Sequence, residues 1–396
     1  MKIPMRPSDS SANVLTRAFS KPIASDVIIY DNTLREGEQP PGVVFNSDEK
    51  FELATMMSEM GIPWTNAGFP AASPHEFSSV NRLAKAGLDI KLAGLCRMLD
   101  ADIEKTVESG VDLVALFLGC SDTHLFEKTR WTEEQAVERI QAGVRKAKEQ
   151  GALVSLGLED SSRAPLGRII KLFQAGVDAG VDYLVFADTV GILTPTATTK
   201  IVEIFTALFD VPIGTHFHND LGLALANTLA ALESGAKMAQ VTVNGVGERT
   251  GNACLEELVV ALHVKYGLDT GIDLSKLHDL CNAVHRASGT EPPAHKPVGG
   301  KLCFTHESGI HISGLLKNPE CYQPYPPPMI GRHHELVFGK HSGGSSVDFA
   351  AKEVGLELSP SARNDVLARI KTESEAKQGL LTDEMVVAWI REAAGQ

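Results

Sequence analysis

Several features are missing from this chain of 396 residues, and each absence excludes a class of protein. No segment approaches 18 consecutive apolar residues, so we expect no membrane-spanning helix and no membrane partner. Residues 1–24 lack the apolar stretch of a signal peptide, and we expect them to form a loose N-terminal arm of a cytoplasmic protein. The six cysteines include no CxxC pair, which indicates neither a disulfide framework nor a cysteine zinc site.

Positive charge is also scarce. The chain carries 37 Lys and Arg against 50 Asp and Glu, which gives a net charge of -13. Binding to nucleic-acid phosphates needs clustered Lys and Arg, so we expect no nucleic-acid partner. An acidic protein that acts on anionic substrates needs a local positive site, so we expect a metal ion or a buried Arg where the substrate binds.

Short apolar or β-branched runs recur along the chain, and each is followed by a stretch with helical spacing. This alternation is typical of a parallel sheet with crossover helices. Eight strands within about 250 residues predict an α/β fold of the (β/α)8 or TIM-barrel type, over residues 25–275. An open doubly wound sheet is the alternative, but the GxGxxG turn that most dinucleotide-binding sheets carry is missing. The strands are expected to begin near Val27, Pro63, Lys91, Asp112, Leu153, Tyr183, Pro212 and Gln240.

The alternation of predicted strands and helices stops after about Asp273. The stretch from Glu291 to Gly344 is rich in Pro, Gly and His, and a final helical region begins near Pro360. We therefore expect residues 276–396 to form a linker and a small appended C-terminal subdomain. No solenoid repeat or low-complexity tract indicates a scaffold protein.

A pair of histidines indicates a metal site. His216 and His218 are separated by one residue at the end of a predicted strand, so strand alternation turns both side chains to the same face. In a barrel this face is the interior mouth, and neutral imidazoles are good ligands for a divalent ion. Two hydrogen-bonded histidines near a sheet end would show the same pattern. The segment Asp31–Gln39, after the first strand, adds an Arg and several carboxylates at the same face of the barrel.

Five segments, in order, resemble the signatures of the acetyl-CoA-dependent 2-oxo acid condensing enzymes, the family of homocitrate, isopropylmalate and citramalate synthases. The resemblance is closest to nitrogen-fixation-type homocitrate synthases and their relatives that form citrate or phosphonate analogues. It implies an acyltransferase that condenses the methyl carbon of acetyl-CoA with a small 2-oxo acid. The segments are Asp31–Gln39 (DNTLREGEQ), His216–Gly222 (HFHNDLG), Asn244–Asn252 (NGVGERTGN), His306–His311 (HESGIH) and Gly339–Gly343 (GKHSG).

The resemblance also implies the metal ligands. It assigns Glu36, His216 and His218 to a divalent ion, with Asn252 near the same ion. Two nitrogens and one carboxylate leave positions open for the oxygens of the 2-oxo acid and suit Mg2+, Mn2+ or Zn2+ alike. Such an ion would polarise the ketone. A surface carboxylate is the other interpretation of Glu36.

Further residues are expected to bind the substrate or act on it. Arg35 can stabilise an enolate or alkoxide oxygen, although a salt bridge to a nearby carboxylate would use it as well. Gln39 is expected to bind substrate, and Thr189 resembles the family's hydroxyl donor to the substrate carboxylate, although an ST-turn would also explain it. His311 and Tyr322 resemble the pair that homocitrate synthases bring from the appended region, with His311 as an acid or base.

In that family the appended region covers the active site of the partner subunit, so the resemblance implies a homodimer. His306 and His311 would instead merely pack or hydrogen-bond if the appendage had no catalytic part. The pattern leaves open which residue is the general base. Because the chain ends at Gln396, we expect no additional C-terminal domain of the kind through which leucine inhibits long isopropylmalate synthases.

Selectivity for the 2-oxo acid is expected at the end of the fifth strand. Ser155 begins the segment SLGLEDSSR. The corresponding segment is similar to RFSSED in lysine-pathway homocitrate synthases and to EFSxED in isopropylmalate synthases, so Ser155 stands where these have Arg and Glu. Both the Arg and the Glu are missing, and the segment instead resembles that of nitrogen-fixation-type homocitrate synthases and their citrate- or phosphonate-forming relatives. This resemblance implies an acceptor with a second anionic group. Arg97 and His124 are the candidates to bind that group. Asn66 departs from the Glu that is usual in the family, with no evident meaning.

Other functions remain open at this stage. Besides homocitrate synthesis, the pattern permits 2-phosphonomethylmalate, Re-type citrate, isopropylmalate or citramalate synthesis. A metal-dependent lyase or aldolase can use the same barrel, although the HESGIH and GKHSG segments favour a synthase. A barrel that binds metal without turnover is the alternative from another class, because fold alone does not establish activity.

Overall fold

The computed structural model describes Met1 and residues 18–396. The chain divides into two compact units, a barrel unit that ends at Glu291 and a C-terminal unit, Pro292–Gln396, with which Met1 groups. Most of the arm expected over residues 1–24 lies outside the described residues. Every helix within residues 18–396 is too short or too polar to span a bilayer.

Eight parallel strands close into a barrel in the order β1 to β8, with β1 paired to both β2 and β8. The predicted (β/α)8 fold is therefore confirmed. The predicted strand starts lie within one residue of the observed ones except for the last, which begins two residues earlier. The strands are β1 Ile28–Asp31, β2 Trp64–Gly68, β3 Lys91–Arg97, β4 Leu113–Gly119, β5 Leu153–Glu159, β6 Tyr183–Asp188, β7 Ile213–Phe217 and β8 Met238–Val241.

Helices between the strands cover the outside of the barrel. Several begin at a side-chain cap, as at Asn46, which accepts hydrogen bonds from two backbone N–H groups of the first turn. A π-helical segment, Thr123–Thr129, follows β4. The helices are α1 Thr33–Glu36, α2 Ser47–Met60, α3 Pro74–Ala84, α4 Asp100–Glu108, α5 Glu133–Glu149, α6 Leu166–Asp178, α7 Pro195–Leu208, α8 Ala224–Glu233, α9 Leu255–Tyr266 and α10 Leu277–Ser288.

A layer of side chains fills the barrel beneath its mouth. The rings of Tyr30 and Trp64 stack with their centroids 6.4 Å apart. Ala93, Leu113 and Met238 pack into the same buried cluster. Because this layer closes the interior, a ligand reaches the barrel from the carboxyl ends of the strands.

Helix α10 belongs to the barrel unit, although the sequence pattern placed the end of the barrel domain at residue 275. Its apolar face packs against α2, which keeps it with the barrel. The C-terminal unit has its own apolar core around Phe338 and Ile370. Its elements are β9 Thr305–His306, β10 Glu335–Leu336, α11 Gly309–Lys317, α12 Gly344–Glu353, α13 Pro360–Lys377 and α14 Asp383–Ala393.

Candidate active site

The two histidines lie where β7 ends. His216 belongs to the strand and His218 follows it directly, so both side chains point into the barrel mouth. Only 7% and 5% of their surfaces are exposed. Their Nε2 atoms lie 3.2 Å apart, a separation at which the two nitrogens must share a proton or a cation.

Glu36 reaches the histidines from α1, the single turn after β1. Its Oε1 lies 3.7 Å from Nε2 of His216, and the ligand atoms of all three residues lie within 4.8 Å of one another. Its Oε2 is buried without a hydrogen-bond partner. This donor set of two nitrogens and one carboxylate fits a divalent ion with positions left open for substrate.

The protonation of the three residues also suits a metal ion. Burial lowers the pKa of His216 to about 3, and burial lowers the pKa of His218 as well. Burial opposes ionisation of Glu36, but the charge of Arg35, joined by that of the histidines while they are protonated, outweighs it, so the pKa of this carboxyl lies below its ordinary value. At neutral pH the histidines are therefore uncharged and the carboxylate is ionised, which are the forms that bind metal.

Gln240 orients His216, a role that the sequence analysis missed. Its Oε1 lies 3.1 Å from Nδ1 of His216 and also accepts a hydrogen bond from Nδ2 of Asn32. Because Oε1 carries no hydrogen, Nδ1 must be the protonated nitrogen, which leaves the lone pair of Nε2 for the centre. Sheet register pairs His216 with Gln240 across β7 and β8, so strand alignment was the signal that could have revealed it.

The charged side chains of the segment after β1 pair with different residues. Arg35 donates to Glu36 and, over 3.2 Å, to Oδ1 of Asn32. Glu38 instead pairs with the buried Nζ of Lys50 at 2.7 Å. Of the two Glu side chains that follow Arg35, one joins the histidines and the other holds the adjoining loop.

A cavity of about 390 Å³ opens at the carboxyl ends of the strands beside this centre. The Thr189 hydroxyl oxygen accepts a hydrogen bond from the Asp160 N–H at 2.8 Å, which leaves its own O–H free to donate into the cavity. The structure therefore brings together most of the expected site. The expected residues that line the cavity are Arg35, Glu36, Gln39, Ser155, Thr189, His216 and His218.

Asn252 lies beside the centre formed by Glu36, His216 and His218. Its backbone forms a bridge with His218, and its Nδ2 donates to the Val246 carbonyl at 3.2 Å. The side-chain Oδ1 is buried without a hydrogen-bond partner. Asn66, the departure at β2, lines the cavity.

Arg97 and His124 do not line the cavity, which differs from the expectation for the far end of the acceptor. Asp102 binds the Arg97 guanidinium through both carboxylate oxygens, at 2.5 and 3.2 Å, and about half of the Arg97 side chain is exposed. His124 lies between Glu159 and Asp160, with nitrogen–oxygen distances of 3.2 and 3.7 Å. Both side chains therefore lie against neighbouring carboxylates.

Lys128 lines the cavity instead. Its Nζ lies 3.0 and 2.9 Å from the two carboxylate oxygens of Glu159, which also lines the cavity. No motif marks Lys128 in the sequence, because its position depends on the fold of the segment after β4.

His311 and Tyr322 lie in the C-terminal unit, where their rings pack with centroids 4.4 Å apart. Tyr322 is 44% exposed. Nearby in the chain, Nε2 of His306 lies 3.1 Å from Nδ1 of His334. Of these two motif histidines, His306 therefore has a hydrogen-bond partner within the unit, while His311 packs on an exposed aromatic ring.

Fold and site together define a TIM-barrel enzyme with a carboxylate–histidine centre at the mouth. Residues 26–284 match the HMGL-like family, and residues 298–378 match the homocitrate synthase post-HMGL domain-like family. The chain belongs to the HMGL-like family.

Similar proteins include three synthases named for different products. Homocitrate synthase AksA of Methanocaldococcus jannaschii is 39% identical over 91% of this chain and 89% of that protein. (R)-citramalate synthase CimA of the same organism is 37% identical over 93% of this chain and 75% of that protein. A probable 2-isopropylmalate synthase of Ignicoccus hospitalis is 40% identical over 88% of both. At these identities and coverages the chain belongs to the acetyl-CoA-dependent synthases that condense 2-oxo acids, and the three relatives are named for different products.

Among solved structures, hydroxymethylglutaryl-CoA lyase of Pseudomonas aeruginosa superposes with a TM-score of 0.61 at 22% sequence identity. The match covers 69% of this chain and 96% of the lyase. This likeness concerns the barrel fold.

Proposed function

We propose that the protein condenses acetyl-CoA with a 2-oxo acid that carries a second anionic group, as homocitrate synthases do. The observation that carries the proposal is Ser155, which lines the cavity at the position where the resembling lysine-pathway and isopropylmalate enzymes have Arg and Glu. A small neutral side chain there leaves room for an acceptor longer than pyruvate. It also places no carboxylate there to repel a second anion.

The centre would hold the acceptor end that reacts. Glu36, His216 and His218 would bind a divalent ion, which when bound supplies Lewis-acid polarisation of a ketone. The Arg35 guanidinium lines the same cavity and stabilises negative charge on an oxygen beside the centre. Thr189 donates its O–H to the acceptor's carboxylate, and Gln39 provides a further polar contact.

The reaction requires removal of a proton from the acetyl methyl group. The methyl carbon then bonds to the ketone carbon, the ketone oxygen gains a proton, and water cleaves the thioester to release the CoA thiol. His311, paired with Tyr322, is the proposed acid or base. We propose that this pair serves the barrel of a partner subunit in a homodimer.

Release of free CoA thiol from acetyl-CoA tests the proposal against a panel of 2-oxo acids. We expect the highest kcat/KM with 2-oxoglutarate, oxaloacetate or phosphonopyruvate, and a low value with 2-oxoisovalerate. A preference for 2-oxoisovalerate or pyruvate would overturn the choice of acceptor. Thiol release with none of them would overturn the synthase assignment for this chain.

A further inference from the structure

Lys128 occupies a position that the reaction chemistry described so far does not use. It lies in the π-helical segment Thr123–Thr129 after β4, and its side chain lines the cavity. Both carboxylate oxygens of Glu159, at the end of β5, accept from its Nζ. The Lys128 side chain is 53% exposed and that of Glu159 is 26% exposed. The ammonium group therefore stands at the opening of the cavity, held from one side.

The order of the strands places this ammonium group across the barrel mouth from the centre formed by Glu36, His216 and His218. The centre is built from β7 and from the turn after β1, while Lys128 and Glu159 follow β4 and end β5. In a closed barrel of eight strands, β1 is opposite β5 and β8 is opposite β4. An acceptor that binds the centre through its ketone and carboxylate oxygens therefore extends its far end toward β4 and β5.

The wall between the two positions is small or apolar. Leu95, Ala115 and Phe117 line it from β3 and β4, and Ser155 and Gly157 line it from β5. None of these side chains carries a charge, so none can neutralise an anion at the far end.

Two cationic side chains are found among the described residues that line the cavity, and they lie at different positions. Arg35 is engaged with Glu36 at the centre. The Lys128 ammonium has three hydrogens, and the two contacts with Glu159 leave at least one of them to donate elsewhere. Its partial exposure means that a substrate anion can approach it without displacing Glu159.

We propose that Lys128 determines acceptor specificity by binding the second anionic group, a carboxylate or phosphonate, while Glu159 positions its ammonium group over the mouth. This inference rests on the proposed function, because it assumes that the acceptor binds at the centre. The sequence analysis expected Arg97 and His124 to bind the second anionic group. The inference assigns that role to Lys128, which lines the cavity.

Lys128→Met tests the inference by removing the charge and keeping most of the length of the side chain. We expect kcat/KM for the preferred diacid or phosphonate to fall about tenfold or more, mainly through KM, as is typical for loss of a hydrogen bond to a charged group. The value for 2-oxobutyrate or 2-oxoisovalerate should stay the same or rise. Lys128→Arg should retain part of the preference, because it keeps the positive charge.

Lys148→Met is the matched control. The Lys148 Nζ lies 2.9 and 2.8 Å from the two carboxylate oxygens of Asp182, so it forms the same type of pair, but Asp182 precedes β6 at the opposite end of the barrel. This variant should leave the acceptor ranking unchanged. If wild-type protein prefers a diacid and Lys128→Met lowers all acceptors equally, or none, the inference is wrong while the proposed function stands. If wild-type protein prefers 2-oxoisovalerate, the proposed acceptor class is wrong and the inference falls with it.

Discussion

At the scale of single residues, Gln240 tests how the centre is organised. Replacement by Leu removes the acceptor for the Nδ1–H of His216, so the imidazole can rotate or change tautomer. Loss of such an outer contact typically lowers metal affinity by about 10- to 100-fold. We expect Gln240→Leu to weaken binding of Mn2+ or Zn2+ by this factor, as measured by titration of the metal-stripped protein.

The comparison variants separate orientation from ligation. Gln240→Glu keeps an acceptor oxygen at Nδ1 and should bind metal better than Gln240→Leu. His216→Ala should abolish stoichiometric binding, and His263→Ala, an exposed histidine on α9, should bind like wild type. Wild-type affinity in Gln240→Leu would mean that the hydrogen bond does not organise the centre.

At the scale of elements, the loop after β8 depends on Gly251. This residue has φ +82°, and a Cβ atom there would lie 1.9 Å from the backbone oxygen of Gly245. The Gly251 carbonyl accepts from the Asn219 N–H, and the backbone of Asn252 bridges His218. We therefore expect Gly251→Ala to shift the loop, lower the free energy of unfolding and weaken metal binding at His218.

Gly267 provides the matched control, because it has φ +65° at the end of α9 with open space around it. Gly267→Ala should lower the free energy of unfolding by about 1–2 kcal/mol, the cost of a left-handed conformation alone. Gly251→Ala should cost clearly more in the same denaturation experiment, since backbone atoms must also move. Equal losses in the two variants, with metal affinity intact in both, would show that the contact with Gly245 does not constrain the loop.

At the scale of the whole molecule, the proposed homodimer predicts complementation between defective chains. His216→Ala lacks a ligand at its own barrel, and His311→Ala lacks a residue proposed to act on the partner's barrel. Randomly assorted subunits form mixed dimers in half of all cases, and each mixed dimer has one intact site of two. Co-expression of the two variants should therefore restore about a quarter of wild-type activity.

Each variant alone provides the control. Sedimentation should show that it forms a dimer, and the assay should show that this dimer is inactive. If His311 acts within its own chain, mixed dimers would contain no intact site and co-expression would restore nothing. A fully active monomer at assay concentration would contradict the dimer itself.

The sequence by itself determined the barrel and the core of the candidate site. Strand and helix periodicity located the eight strands to within two residues, because burial on both faces of a parallel sheet leaves a local pattern. Strand alternation also placed His216 and His218 on one face. These features depend on neighbours in the chain, so they can be recognised without the fold.

Only the tertiary structure decided which polar side chains meet. Arg97 and Lys128 are both flexible cations near strand ends, yet Asp102 holds the first beside the cavity while Glu159 holds the second within its lining. The register between β7 and β8 set Gln240 beside His216. A long side chain can reach several partners, and the choice among them depends on strand register and loop conformation, which residue spacing does not encode.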